Sequence, residues 1–224
     1  MPHWQHRRLR RQRNNRALAK RVKGAAGLRI FGVILAGGTG RRMGNANKAL
    51  LMLNATPLIA HAIARLEPQV ERLAISANAD TNALARFGLP ILADKAPLGP
   101  LAGVLAGLIW AAPLGASAVV SVAVDTPFFP PDLVPRLCLA AETIASGCAF
   151  AHSTADHPTF GLWPVALIPA LTAFLASGEN PRVRSFTAAI GAARAQFPAD
   201  TAFDNLNTPD DLARAQALFS GVQL

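Results

Sequence analysis

Apolar residues fall along this chain in short unbroken runs, separated by glycine- and proline-rich punctuation. Residues 28–36 (LRIFGVILA) form the first run, ended by glycines, and 118–124 (AVVSVAV) form another, ended by Asp125. Such runs lack the alternation of a half-exposed strand and predict strands buried on both faces, as in a parallel sheet. Shorter runs at 72–76, 88–92, 147–151, 159–163 and 193–197 predict further strands. Helical spacing appears at 57–66 (Pro57 in the first turn), 101–111, 132–145 (behind Pro130 and Pro131), 165–176, 181–190 and 208–219. The repeated strand–loop–helix order predicts an α/β fold, a single doubly wound, mostly parallel sheet with helices on both faces, over residues 28–224.

Composition adds little until charge is located. The formal charge of +9 suggests nucleic acid, but nine of the 22 basic residues lie in 1–27, which contains no acid. The remaining chain carries thirteen basic and thirteen acidic residues, so no specific nucleic-acid surface is expected in the fold. The basic extension is expected to be disordered, with no apolar segment to make it a secretion signal. The longest apolar stretch, 98–112, falls short of the roughly 20 residues that span a bilayer, and no membrane partner is expected. Two cysteines, Cys138 and Cys148, give neither a disulfide framework nor a four-cysteine zinc site and fit a reducing, cytoplasmic compartment.

Ligands of doubly wound sheets bind beyond the carboxyl ends of the strands, where the strand order reverses. Gly37 and Gly38, Asn78 and Asp125 stand at three predicted strand ends, and Asp94 and Gly99 follow a fourth. The first of these loops reads LAGGTGRRMG over 35–44, with Lys48 just beyond. Glycines let several backbone N–H groups converge on phosphate oxygens, and Arg41, Arg42 and Lys48 add charge for a triphosphate and a departing pyrophosphate. The loop is neither a Walker A motif, lacking its GK[ST] ending, nor a dinucleotide GxGxxG, since Gly44 falls one place late. Asp125 suits Mg²⁺, a hard cation that takes oxygen ligands; a turn before Pro127 is the structural alternative. His152 and His157 lack further ligands at zinc spacing. Arg182 and Arg184, near a predicted helix start, suit a phosphate or a solvated helix face. Thr208-Pro209-Asp210-Asp211 reads as a helix cap, first-position proline and acidic first turn.

These motifs resemble the molybdenum cofactor guanylyltransferase (MobA) family of the NTP-transferase superfamily. The resemblance rests on LAGGxxxRMGxxxK ending at Lys48, Ser76-Ala77-Asn78, Gly99-Pro-Leu-Ala-Gly103, Asp125-Thr-Pro127, His157-Pro158 and Asn205-Leu-Asn207-Thr-Pro-Asp210, in order over residues 28–224. It implies a Rossmann-like nucleotidyltransferase that moves GMP from GTP to the molybdenum-pterin cofactor. Leu35, Ala36, Gly37, Gly38, Arg41, Lys48, Asn78, Asp94, Gly99 and Asp125 are then expected to contact the nucleotide. Lys48, Arg42 and Asp125 are expected to act in catalysis, with Mg²⁺ on Asp125. His157, Arg182, Arg184, Asn205 and Asn207 fall on the acceptor side, and cofactor-insertion and apo-molybdoenzyme proteins follow as partners. Gly99 and Gly103 serve either close approach to the nucleotide or close helix packing. The chain departs from the family pattern at Asn47, where an Asp commonly precedes the lysine, and at Ala123-Val124, where Pro-Cys is frequent. A cytidylyl- or sugar-phosphate nucleotidyltransferase of the same fold, or a non-catalytic cofactor carrier, are the rival readings.

Overall fold

The computed structural model describes residues 27–37, 39–40, 46–93, 99–178, 181–198 and 201–220. The strands are β1 (Ile30–Leu35), β2 (Thr39–Gly40), β3 (Ala46–Asn47), β4 (Met52–Leu53), β5 (Thr56–Pro57), β6 (Arg72–Ser76), β7 (Ile91–Leu92), β8 (Ala118–Ala123), β9 (Ala149–His152), β10 (Asp156–Pro164) and β11 (Ala193–Gln196). The helices are α1 (Leu58–Leu66), α2 (Thr81–Ala85), α3 (Pro100–Ala111), α4 (Leu133–Ala141), α5 (Ile168–Ala176), α6 (Val183–Ala189) and α7 (Pro209–Ser220). Seven strands form one sheet in the order β11-β9-β10-β8-β1-β6-β7, and β2-β3 and β4-β5 pair as small separate ladders. Every pairing in the large sheet is parallel except those of β10, which runs antiparallel to both β8 and β9.

The period-two geometry of β1 explains its unbroken apolar run. Ile30 and Ile34 face a core with Leu58, Ile59, Ala62 and Leu66 of α1, Leu133 and Leu137 of α4, and Ala215 of α7. Phe31 and Val33 face the opposite core, built from Leu101, Val104 and Leu108 of α3, Leu171 of α5 and Phe186 of α6. Both faces of the strand are therefore dry, and burying each large apolar side chain contributes about 1.5–3 kcal/mol. Trp163 is fully buried in the second core, where its Nε1 donates to Ser121 Oγ at 2.8 Å while Ser121 Oγ donates to Thr159 O at 2.7 Å. Two polar groups are thus satisfied inside an apolar layer.

Several expected elements change length for local reasons. The strand expected at 88–92 shrinks to Ile91–Leu92, because Gly88 takes φ +69° and Pro90 has no N–H to offer a ladder. The helix expected at 132–145 stops at Ala141. Beyond it, Ile144 N donates to Ala141 O, and Gly147 N, at φ +61°, donates to Ile144 O, two tight turns that feed β9. Pro57 is not inside α1: it pairs in β5 and stands just before the helix as its N-cap. No helix among the described residues is long and apolar enough to cross a membrane.

Candidate functional site

The sheet reverses its winding at β1, which has β6 on one side and β8 on the other. Backbone bonds carry the register past the strand ends: Ala36 N donates to Ser76 O at 2.8 Å, Val124 N to Leu35 O at 3.2 Å, and Ala77 N to Leu92 O at 3.0 Å. Leu35, Ala36 and Gly37, then Ser76 to Asn78, then Asp125, are thereby set along one edge. Gly37 is exposed, and a Cβ there meets no atom within 4 Å, so space is open above the end of β1. Gly38, Arg41, Arg42 and Asp94, also expected in this loop set, lie outside the described residues, as does all of the basic extension 1–27 except Gly27.

Three segments far apart in sequence meet beyond this edge. Lys48 Nζ donates to Asp125 Oδ2 at 2.9 Å and also to Asn207 Oδ1. Leu206 N donates to Asp125 O at 2.7 Å, and the buried Thr126 hydroxyl donates to Asn205 Oδ1. Lys48 and Asp125 keep only 14% and 21% of their side-chain surface, so their opposite charges face each other with little screening water. Asp211, at the third position of α7, accepts from Asn207 N and Thr208 N at 2.9 Å each, while Asp211 N donates to Thr208 Oγ1 at 3.1 Å. This reciprocal box fixes the turn that presents Asn207. The Asn207 N–H, first, then the Thr208 hydroxyl hold the Asp211 carboxyl below its usual range. Thr126 and Asp211 were not expected as site supports; the Thr208-x-x-Asp211 spacing was a signal for Asp211, and Thr126 had none.

Gly99 and Gly103 prove to do different things. Gly99 takes φ +75° and ψ −161°, a region essentially confined to glycine, as the cap of α3. The first turn of α3 carries no acid, and the helix runs into β8 from the side where the strand ends gather, so its positive end is available to an anion. Gly103 is a packing glycine: a Cβ there lies 2.6 Å from Ser76 Oγ and 2.8 Å from Leu35 Cδ2.

Continuing the β8–β10 register from Ser121 and Gly161 carries His157 toward the same edge as Asp125. Its ring stacks on Phe203 with centroids 4.5 Å apart and planes 13° apart, and its Nε2 lies 2.8 Å from Ser153 Oγ. Phe203 in turn leads directly to Asn205. On the adjoining surface Asp156 binds Arg194 through two bonds of 2.8 and 3.0 Å, and His152 Nδ1 at 2.7 Å. Arg184 is exposed and donates to Asp156 O at 3.2 Å; Arg182 is exposed at the cap of α6. Arg184 therefore lies beside the His152–His157 hairpin, and neither arginine takes part in the Lys48–Asp125–Asn207 hydrogen bonds. No group of three or more His, Cys, Asp or Glu able to hold a metal occurs among the described residues.

This hairpin titrates in a predictable direction. Arg194 first, then His152, pull the Asp156 carboxyl down to about 2, and burial first, then His152, lowers the His157 imidazole. Asp156 binds its proton less readily folded than unfolded, so its stabilisation is full above about pH 4 and lost as pH falls toward 2. His157 also protonates less readily when folded, so its effect is a loss of stability as pH drops below its ordinary 6.5. Carboxyl-carbon and imidazole NMR titrations are expected to give both midpoints below their ordinary values.

A cleft of about 400 Å³ lined by Glu67, Arg72, Leu89 and Trp110 opens at the opposite end of the sheet and holds none of these residues.

A doubly wound sheet with an open glycine, Gly37, a paired Lys–Asp and a helix N-terminus along one edge fits a nucleotidyltransferase class of protein. The fold matches molybdopterin-guanine dinucleotide biosynthesis protein A of Archaeoglobus fulgidus with a TM-score of 0.68 at 20% identity, covering 86% of this chain and all of that one. It also matches 4-diphosphocytidyl-2C-methyl-D-erythritol synthase of Anaerococcus prevotii with a TM-score of 0.69 at 11% identity, over 86% of this chain and 96% of that one. Residues 32–194 match the MobA-like NTP transferase domain. A molybdenum cofactor guanylyltransferase of Cereibacter sphaeroides is 57% identical over 192 residues, covering 85% of this chain and 97% of its own. One of Rhodobacter capsulatus is 49% identical over 195 residues, covering 84% and 96%. The chain belongs to the molybdenum cofactor guanylyltransferases of the MobA-like NTP transferase family.

Proposed function

We propose that this protein transfers GMP from GTP to the molybdenum-pterin cofactor, releasing pyrophosphate and forming the guanine dinucleotide cofactor. A terminal phosphate oxygen of the pterin attacks the α-phosphorus of GTP. The bond from that phosphorus to the bridging oxygen breaks, and pyrophosphate carries away the electron pair. The nucleophile is already ionised, so the chemistry asks for positioning and charge stabilisation more than for a base. The observation that carries this reading is the junction of Lys48, Asp125 and Asn207 beyond the switch point.

In this reading Lys48, Arg41 and Arg42 hold the β- and γ-phosphates, and the amides of Leu35, Ala36, Gly37 and Gly38 align the triphosphate. Asn78 and Asp94 read the base, because a carboxylate accepts from both N1–H and N2–H₂ of guanine. Gly99 brings the positive end of α3 to the phosphates. Asn205, Asn207 and His157 line the acceptor side, and Arg182 and Arg184 meet the pterin phosphate at its rim. A single carboxylate fits the protein's share of a Mg²⁺ site, since Mg²⁺ is commonly held by one or two carboxylates and completed by waters and phosphates. Mg²⁺ bound there supplies charge neutralisation at the α-phosphate. Lys48 pairs with the partly buried Asp125 carboxylate.

The catalytic unit in this proposal is residues 28–224, with the basic extension outside it; 85% of this chain already covers 97% of a curated relative. Burial pushes the thiols of Cys148 and Cys138 up to about 12 and about 11, so both stay protonated near neutral pH, and the protein is placed in the cytoplasm in this proposal. There the product passes to cofactor-insertion proteins and apo-molybdoenzymes.

The test is pyrophosphate release with molybdenum-loaded pterin, comparing GTP with CTP and UTP, with and without Mg²⁺. Release with GTP that disappears on chelation and returns with Mg²⁺ is the expected result. A preference for CTP keeps the fold and replaces the function, and tight pterin binding without release from any nucleotide replaces the enzyme with a carrier.

A further inference from the structure

One side chain joins the two loops that flank the nucleotide site. Asn47 Nδ2 donates to Asp80 Oδ2 at 2.9 Å, across 33 residues of sequence. At the same time Asn47 Oδ1 accepts Ala49 N at 3.0 Å and caps the 3-10 turn Lys48–Leu50. Asn47 immediately precedes the lysine that reaches Asp125, and Asp80 lies two residues beyond Asn78 at the end of β6. Asp80 holds φ +53°, a left-handed conformation that Asp and Asn tolerate better than other side chains with a Cβ.

The two bonds of Asn47 make opposite demands. The cap requires an acceptor and the Asp80 carboxylate requires a donor; an amide side chain carries both. Aspartate at position 47 preserves the cap but sets two carboxylates against each other. Coulomb repulsion then opens the contact or forces one carboxyl to take a proton. Both partners are accessible, so the pair contributes little to global stability. Its leverage is on geometry, because it fixes the spacing between the segment that aims Lys48 and the loop that carries Asn78.

We propose that Asn47 and Asp80 are a positioning pair that locks the Lys48 turn to the Asn78 loop, and that the lock requires one donor and one acceptor in either order. Its effect on nucleotide rests on the guanylyl-transfer reading above; its effect on the loops does not. Asn47→Asp is the break, and Asn47→Asp with Asp80→Asn is the reversal. In the reversal the amide stands on the β6 side and donates to the carboxylate that precedes Lys48, which still caps Ala49.

Hydrogen–deuterium exchange of the free full-length chain reads the lock directly at residues 46–51 and 78–85, and steady-state pyrophosphate release reads its consequence. Asn47→Asp is expected to speed exchange in both segments and to raise the KM for GTP about tenfold, with a much smaller change in kcat, as loss of a charge-assisted bond predicts. The reversed pair is expected to bring exchange and KM back to within about threefold of the wild type. Wild-type exchange in Asn47→Asp, or no recovery in the reversed pair, overturns the proposal. Exchange that breaks and recovers while the KM for GTP stays fixed overturns the positioning role. Exchange that breaks and recovers in a protein that turns over no GTP supports the lock and removes the guanylyl reading instead.

Discussion

Asp125→Ala is expected to lower kcat by about a thousandfold or more, the scale seen when a preorganised charge is removed from a reacting centre. The carboxylate sits at the end of β8, where Leu206 N bonds its backbone oxygen and Lys48 bonds its side chain. Truncation leaves the backbone bond, so the C-terminal segment stays docked and the loss falls on chemistry. It also leaves Lys48, 14% exposed, with Asn207 but no counter-charge. Breaking one side of a buried pair costs about 3–5 kcal/mol, and this pair, partly exposed, is expected to cost less, about 1–2 kcal/mol. Lys48→Ala is expected to fall by a similar factor, and the double variant by much less than the product of the two, because the groups act as a unit. Single-turnover rates with urea unfolding beside them separate the two effects. A kcat within threefold of the wild type in Asp125→Ala, with the protein folded, removes Asp125 from the mechanism.

The largest expected loss of stability comes from a glycine. Gly103→Val drives a branched side chain toward Ser76 Oγ, 2.6 Å from the new Cβ, and Leu35 Cδ2, 2.8 Å away. Ser76 is 3% exposed and belongs to β6, so it has nowhere to retreat. The remaining response is for α3 to lift from the sheet, opening the contacts of Leu101, Val104 and Leu108. Overpacking costs about 1–3 kcal/mol when a core can adjust; here the upper end is expected, a fall in Tm of roughly 6–12 °C for a chain of this size. Gly107→Val is expected to cost less, since its Cβ meets Val33 at 3.2 Å and Val119 at 3.5 Å. Calorimetry of the two variants decides the order. If Gly103→Val melts with the wild type, α3 is not seated as described.

The same helix marks how far the sequence could be read. Apolar runs revealed β1 and β8 because both faces of those strands are buried, a condition visible residue by residue. The hairpin of β4 and β5 was invisible: its turn is Asn54-Ala55, both at positive φ, without the glycine that usually announces such a turn. The strand at 159–163 was expected, but its antiparallel direction in β10 left no mark, since a strand paired on both sides looks the same in either direction. In the site, the sequence marked Asp125 as a candidate by its strand end, Lys48 by the glycine loop and Asn207 by family resemblance. Their mutual contact was not marked, because pairing across 77 and 159 residues leaves no local pattern. Gly99 and Gly103 illustrate the same limit: one glycine serves its backbone angle and the other its neighbour, and only three dimensions separate them.

The bond from Lys48 to Asn207 has a consequence for synthesis. The strands that set the switch point, β1, β6 and β8, are complete by Ala123, long before Asn207 leaves the ribosome. At roughly 5–20 residues per second, on the order of ten seconds separates the appearance of Lys48 from that of its last partner. Through that interval the growing chain can build its sheet but lacks Asn205, Asn207 and the capped start of α7 that holds them. With the acceptor-side roles proposed for Asn205 and Asn207, a fragment that stops short of residue 205 is expected to fold its first strands without becoming a working transferase.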